Sequence, residues 1–506
     1  MKKIPLPNSK RWLTGAAAGL ATFAPSGGTL VAAPWVDLSE ASLRHSATLD
    51  RFVGGYENVL GTSLDLVIEA ARPGDAAACA THLLEEIERL RRIFSTYDPT
   101  SEIRHVMAGA PVASPELAEL FAAYGSWSQR TSGLIEPNLG GVVEAWREAT
   151  RTGRLPERAA LERAARQPLA YNVDALGKSF IVDRAVGVAR RFAPGGVVNL
   201  GGDIRAWGET AWTVGVADPL HPADNAPPRA RFSLREAAVA TSGGYARHYA
   251  AGGKRFSHLV DPRTLWPVDA GGGATVVAAD CLTANALSTA ASIGGVDTGA
   301  RLAEAHGAEG YFFASAAGRV ASGGLLAAAA TPPSAPPASS TPAPTPPAAA
   351  ATPDAGWPAG FQITVQVTLK KHESKREVYR PYVVVFVQNE KNHLVRTITL
   401  WGNDERWQRK LSTWWRQPRG TDVEPTITSR ATRAPGSYTA VWNGLDDFGK
   451  RLPAGTYTLC LEVCREAGNH VVETVTLHCG AEPVTATFRE TVEAEASTVT
   501  YGPAKP

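Results

Sequence analysis

Several short segments of the chain set glycine, hydroxyl and charged side chains at spacings suited to work on phosphate groups. In Gly201-Gly202-Asp203, two glycines follow the apolar run GVVNL, so a ligand can approach the backbone closely while Asp203 stands at the strand end. Thr241-Ser242-Gly243-Gly244-Tyr245 has the same design, with small side chains, backbone N–H groups and hydroxyls that match phosphate oxygens. In KRFSHLVDPRT, His258 is a possible base, and Arg263 beside Asp261 and Thr264 is a cation able to grip phosphate with both arms of its fork. Lys178 in YNVDALGKSFIVDRA, with Asp183 further along, reads as a phosphate-binding lysine or as a helix-face ion-pair partner. Each segment taken alone also reads as an ordinary turn or a solvated charged loop.

The elements that must hold these residues are legible as two different modules. Up to residue 326, helix-like stretches such as ACATHLLEEIERLRRIF alternate with strand-like runs such as GGVVNLG and GGATVVAA, which predicts an α/β domain over 47–326. Residues 327–356, rich in Pro and Ala, have too little apolar bulk for a core and read as a disordered linker. From 357 to 506, runs such as FQITVQVTL, PYVVVFVQ and TYTLCLEV are separated by turn residues, the signature of an all-β sandwich; only ERWQRKLSTWWRQ suggests helix.

The total of 506 residues with 44% hydrophobic and 20% charged side chains excludes a disordered chain, and a net charge of +2 lacks the basic excess of a nucleic-acid binder. Lys2, Lys3, Lys10 and Arg11 precede an apolar run from Trp12, with small residues near Ala33, so 1–33 reads as a secretory signal, too short for a stable membrane anchor. The expected location is exported and periplasmic. Five Cys cannot all pair with one another, and Cys460 and Cys464, evenly spaced in a strand-like run, share a face from which a bridge to Cys479 is geometrically conceivable.

Taken in order, the segments resemble the ApbE family of FAD:protein FMN transferases. The blocks are GTSLDLVI at Gly61, FSTYDPTSEI at Phe94, TSGLIEPNLGGVVEAW at Thr131, NVDALGKSFIVDRA, VVNLGGDIRAWG at Val197, TSGGYARHY at Thr241, RFSHLVDPRTLWP at Arg255 and CLTANALSTA at Cys281. The resemblance implies a reaction in which FAD binds with Mg²⁺, a Thr or Ser hydroxyl of an exported electron-transfer protein attacks the FMN phosphorus, and AMP leaves. It places Ser95, Tyr97, Gly133, Asn172, Lys178, Gly202, Asp203, Ser242, Gly243, His258 and Arg263 around FAD, with Lys178 and His258 in the chemical step. It implies metal ligands at the carbonyl of Ala175 and the side chains of Asn285 and Thr289. Asn285 and Asn172 stand where the family usually has Asp, Ser179 and Leu265 where it has Gly, and Leu60 where it has Met. The alternatives are a flavin-binding or scaffold protein without transfer, and an FAD pyrophosphatase.

The second module resembles DUF2271, a bacterial domain family of unknown function, in RPYVVVFVQ, LVRTITLWG and VWNGLDDFGKRLPAGTYTLCLEV. Asp446, Asp447 and Gly449 could form a calcium loop, but turn formers are the commoner use of such residues. Trp401, Trp407, Trp414 and Trp415 read as core aromatics in preference to a binding platform. The expected role of the module is docking of the protein acceptor.

Overall fold

A computed structural model describes residues 2–3, 35–37, 50–217, 229–244, 248–269, 271–315, 317–324, 326–327, 357–358, 360–372, 380–402, 405–417, 429–430, 432–433, 435–446, 451–466 and 468–504. The expected signal peptide beyond Lys2 and Lys3, the linker beyond Ala327, and Tyr245, Asp447 and Gly449 lie outside the described residues. The chain separates into two compact units, divided between Leu326 and Ala327. No helix among the described residues is long and apolar enough to cross a membrane.

The first unit is built on a nine-stranded sheet. Its strands in spatial order are β1 (Lys2–Lys3), β3 (Asp50–Val59), β4 (Thr62–Ala70), β5 (Gly195–Leu200), β6 (Asp203–Trp207), β9 (Ala238–Gly243), β13 (Gly272–Ala278), β14 (Ala308–Ser315) and β15 (Val320–Gly324). All neighbours run antiparallel except β1 with β3. The helices are α1 (Pro73–Phe94), α2 (Glu102–Met107), α3 (Pro115–Arg130), α4 (Gly140–Thr152), α5 (Arg158–Ala165), α6 (Gly177–Ala189), α7 (Cys281–Gly294) and α8 (Val296–Ala305).

Strand alternation sends Leu66, Ile68, Val198, Leu200 and Val276 to one face, where they pack with α1, α6 and α7 through residues such as Leu83, Ile181 and Leu287. Val67, Val197, Ile204, Val239 and Val277 point the other way, onto Trp212, Val214, Phe232 and Leu234. The last four belong to a small sheet of order β16 (Leu326–Ala327), β8 (Ala230–Leu234), β7 (Trp212–Val216) and β2 (Trp35–Asp37). Both faces are covered, so runs such as VVNL and TVVA carry no polar alternation. On α1, Leu83, Ile87, Leu90 and Phe94 recur at helical spacing on the buried side, and Pro73 opens the helix where its missing N–H costs nothing.

A third sheet, β10 (His248–Ala251), β11 (Lys254–Asp261) and β12 (Trp266–Asp269), packs against α4 and α5 through Trp146, Leu161, Tyr249, Val260 and Leu265. Trp146 Nε1 donates to the Leu265 carbonyl at 3.1 Å. Leu265 takes a left-handed backbone, φ +61°.

The second unit pairs two sheets. One runs β21 (Gly436–Trp442), β17 (Phe361–Leu369), β25 (Ser497–Pro503), β24 (Val484–Phe488); the other runs β20 (Ser429–Arg430), β19 (Leu394–Trp401), β18 (Tyr382–Gln388), β22 (Gly455–Cys464), β23 (His470–Cys479). The segment with helical character forms two single turns, α9 (Glu405–Gln408) and α10 (Ser412–Trp415). Leu411 and Trp414 cluster with Tyr382, Val384 and Phe386 and so cover one face of β18, which is buried along its whole length. Glu462 is buried on the same face as Cys460 and Cys464, and accepts the Thr413 and Trp414 N–H groups at 2.9 and 2.8 Å.

All five cysteines are free and buried. Cys479 pairs in register with Gly455, placing it on the face of β22 opposite to Cys460 and Cys464, so the conceivable bridge is not formed. Trp401 and Trp414 are fully buried, Trp407 and Trp415 are half-buried, and no metal-holding cluster of His, Cys, Asp and Glu occurs among the described residues.

Leu265 generates a stability test. A left-handed backbone costs a leucine about 1–2 kcal/mol, whereas emptying a buried leucine site costs about 2–5 kcal/mol. Leu265→Gly should therefore destabilise the first unit by roughly 1–3 kcal/mol in urea unfolding followed by tryptophan fluorescence. A gain in stability would show that the backbone strain outweighs the packing.

Candidate functional site

The β5–β6 connection is a two-residue hairpin turn, Leu200 opposing Asp203, with Gly201 at φ +56° and Gly202 at φ +96°. Both conformations favour glycine, and a Cβ on Gly201 would lie 2.5 Å from Thr62 Oγ1. The turn therefore brings backbone to the surface of the sheet while delivering Asp203 into the interior, where it is 2% exposed. Asn199 Oδ1 accepts the Gly202 N–H at 3.0 Å and holds the turn from below.

Asp203 is met from two helices. From α6, Lys178 Nζ lies 3.6 Å from its Oδ2 and donates to the Gly201 carbonyl at 2.9 Å. From α7, Asn285 Nδ2 donates to Asp203 Oδ2 at 3.2 Å. Burial pushes the Asp203 carboxyl above the usual range, and Lys178 followed by Asn285 opposes the rise. A carboxylate only accepts, so the amide nitrogen of Asn285 must face it and the amide oxygen must face away. That oxygen accepts from Thr289 Oγ1 at 3.1 Å, one turn on, and the other N–H reaches Ser179 Oγ at 3.3 Å. Ser179 and Asn285, two departures from the family pattern, are thus in contact with each other.

Thr289 Oγ1 and Ser288 Oγ each lie 3.0 Å from Ser242 Oγ, so the end of β9 joins the cluster. Ser292 Oγ also donates to the Ser242 carbonyl at 2.9 Å. Beyond Ser242 the chain passes through buried Gly243 to Gly244, where a Cβ would sit 2.7 Å from the Asp269 carbonyl and 3.0 Å from Ser257. This close approach sets the TSGG segment against β11, which carries half-buried His258 next to Ser257.

Other expected residues have contacts of their own. Tyr97, 44% exposed, donates to Asp174 at 3.3 Å and accepts from Arg147 at 2.9 Å. Asn172 folds onto Asp174, its Oδ1 accepting the Asp174 N–H at 3.1 Å. Ser95 Oγ accepts the Asp98 N–H at 3.1 Å. Gly133 ends α3, its N–H donating to the Ser128 carbonyl at 2.8 Å after Ser132 turns left-handed at φ +52°. Arg263 binds Asp261 with Nε at 3.0 Å and Nη2 at 2.8 Å, so the fork that suggested a phosphate grip is occupied within its own loop. Ala175 is half-buried just before α6.

Sequence reasoning missed Ser288 and Arg147, and took Ser179 only as a departure. Ser288 lay beside Thr289 in a recognised block, but only the fold shows that both hydroxyls meet Ser242. Arg147 had no signal, because its link to Tyr97 crosses fifty residues of chain. Asn285 Oδ1 and Thr289 Oγ1 are neighbouring uncharged oxygens. They fit a hard cation that takes its other ligands from phosphate and water.

Known proteins similar to this chain match each of the two units. The DUF2271 pattern, described as a predicted periplasmic protein, matches residues 362–496. An FAD:protein FMN transferase of Haemophilus influenzae is 26% identical over 271 residues, covering 46% of this chain and 78% of the relative. One of Klebsiella pneumoniae is 26% identical over 263 residues, covering 47% and 82%. Among solved structures, an ApbE protein of Thermotoga maritima aligns with a TM-score of 0.47 at 25% identity, over 54% of this chain and 96% of that one. The flavin transferase ApbE of Vibrio cholerae aligns at 0.47 and 20%, over 54% and 97%. The ApbE family pattern matches residues 60–312, half of the chain, and the protein belongs to the ApbE family.

Proposed function

We propose that the first unit transfers FMN from FAD to a Thr or Ser hydroxyl of an exported acceptor protein and releases AMP. The observation that carries this reading is the convergence of Lys178, Asp203, Ser242, Asn285 and Thr289 into one polar cluster beside a glycine turn. Relatives named FAD:protein FMN transferase support the same reading. In the reaction the acceptor oxygen bonds to the phosphorus of the FMN half, the bond from that phosphorus to the AMP oxygen breaks, and the hydroxyl proton passes to a base. His258 is that base in this reading. Lys178, anchored to Asp203 and the Gly201 carbonyl, keeps an ammonium N–H for a phosphate oxygen. Asn285, Thr289 and the Ala175 carbonyl would hold a Mg²⁺, which would supply charge neutralisation to the phosphate groups of FAD.

A second reading, flavin binding without transfer, is favoured by the neutral amide at 285. Its oxygen brings no charge to a cation, and its nitrogen is committed to Asp203. The N-terminal basic and apolar run, with the description of DUF2271 as periplasmic, supports export. The second unit is assigned to acceptor docking. Holding a bound acceptor near the flavin site raises its effective concentration, which matters when one substrate is a protein.

Incubation with FAD, Mg²⁺ and a Thr-bearing acceptor domain should add one FMN to the acceptor by intact mass, with AMP in equal amount. FAD binding without either product would favour the second reading, and AMP and FMN without acceptor labelling would indicate a pyrophosphatase.

Asn285→Asp sets a second carboxylate against Asp203, where the amide nitrogen now stands 3.2 Å away. Like charges at that range repel unless a cation intervenes. The variant should melt several degrees lower in chelator, equivalent to about 1–3 kcal/mol, and regain stability in millimolar Mg²⁺ while binding the ion more tightly by calorimetry. Equal melting with and without Mg²⁺ would place residue 285 outside the metal's reach.

Deletion of residues 327–506 should leave FAD affinity within about twofold and lower transfer to the natural acceptor by about tenfold or more. Loss of flavin binding on truncation would overturn the division of labour.

A further inference from the structure

Three of the elements that supply residues to the cluster around Asp203, namely α6, β6 and α7, also supply residues to a second, separate junction. On α6, Lys178 is followed by Asp183; on β6, Asp203 is followed by Arg205; on α7, Asn285 and Thr289 are preceded by Cys281 and Leu282. The Asp183 carboxylate accepts the Cys281 N–H at 2.9 Å on one oxygen and the Leu282 N–H at 3.0 Å on the other. Arg205 Nε stands 3.9 Å from the same carboxylate, and the Arg205 guanidinium donates to the Ala279 carbonyl. Asp280 caps the same helix end, its Oδ1 accepting the Thr283 N–H at 2.7 Å.

The mechanical consequence follows from helix geometry. The ties at the cluster hold α7 only from Asn285 onward, to Asp203 on β6 and to Ser242 on β9, and do not fix its first turn. Cys281 lies about 6 Å earlier along the axis at 1.5 Å per residue, so a further tie there fixes that turn. Two backbone N–H groups pointing in parallel from a helix start suit one carboxylate, and the helix dipole favours the negative charge at that end. Burial lifts the Asp183 carboxyl to about 6, the two N–H bonds and then Arg205 counter the rise, and Asp280 adds to it. The carboxylate is therefore mainly ionised at neutral pH.

We infer that Asp183, with Arg205, is a positioning residue for phosphoryl transfer, registering α7 against α6 and β6 so that Asn285 and Thr289 face Lys178. The inference rests on the transferase reading for its consequence in turnover. It does not make Asp183 a catalytic residue, since none of its bonds reaches the cluster directly.

The test is a double-mutant cycle in the full-length protein with Asp183→Asn, Asn285→Ala and the pair. Asp183→Asn keeps one acceptor oxygen but meets the second N–H with an amide nitrogen, so α7 should tilt while the fold persists, with the melting temperature within a few degrees of wild type. Turnover should fall by about tenfold or more, since sub-ångström misplacement suffices for such losses, with the FAD dissociation constant changed by less than about threefold. If Asp183 acts through α7, adding Asp183→Asn to Asn285→Ala should cost little more than Asn285→Ala alone. Ligand-free hydrogen exchange gives a second readout: in Asp183→Asn, protection should drop through Asn285 and Thr289. Wild-type turnover for Asp183→Asn, multiplicative effects in the cycle, or exchange confined to Cys281 and Leu282 would each overturn the inference. A wild-type protein that shows no transfer would count against the transferase reading alone, because the exchange experiment needs neither FAD nor acceptor.

Discussion

A carboxylate withdrawn from water at a sheet turn imposes the arrangement of the first unit. Burying an ion costs several kcal/mol unless partners compensate, and Asp203 is buried at the end of a hairpin too tight to offer it partners of its own. The compensation comes from Lys178 on α6 and Asn285 on α7, so these two helices must approach the same strand end. The glycine turn makes that approach possible by keeping side chains out of the space above the strand. Helix packing on the sheet is generic, but the requirement to neutralise one atom group selects which turns of which helices meet there.

The second unit uses the same physics for a different end. Glu462, fully buried, accepts two N–H groups of α10 and takes His470 Nε2 at 2.7 Å. It thereby pins a short helical excursion that could not be stable alone, and the excursion covers the outer face of the five-stranded sheet. At another point Glu493 is gripped by Arg465 at 3.0 Å and by His372 at 3.0 Å. Buried acids thus tie other parts of the chain to sheets in both units: in the first, Asp203 draws in two helices at a candidate reaction centre, and in the second, Glu462 and Glu493 hold neighbouring segments in a domain without recognised catalytic groups.

Much of this was legible in the sequence for identifiable reasons. The helical period of α1 and the apolar runs of β5 and β13 report burial directly, and the glycine pair at 201–202 marks a turn by its chemistry. The local blocks located Lys178, Asp203, Ser242 and Asn285. What sequence could not express is direction: that Arg263 turns onto Asp261, that Asn285 presents nitrogen to Asp203 and oxygen to Thr289, and that Ser179 answers Asn285 across more than a hundred residues. The antiparallel order of the large sheet was hidden too, because coverage of both faces erased the polar alternation that usually betrays it. The pair of helical turns in the second unit read as one helix because its break depends on a distant glutamate.

The five buried thiols bear on how the chain survives oxidation. Burial pushes the thiols of Cys79, Cys460 and Cys479 up to about 12, so at neutral pH the reactive thiolate is on the order of 10⁻⁵ of each. An unfolded chain would hold the same sulfurs near their ordinary acidity, thousands of times more reactive and free to collide. Folding is therefore the chain's antioxidant: in any oxidising compartment there is a race between core formation and sulfur chemistry, and with an odd number of cysteines a lost race leaves a sulfur open to a neighbouring molecule.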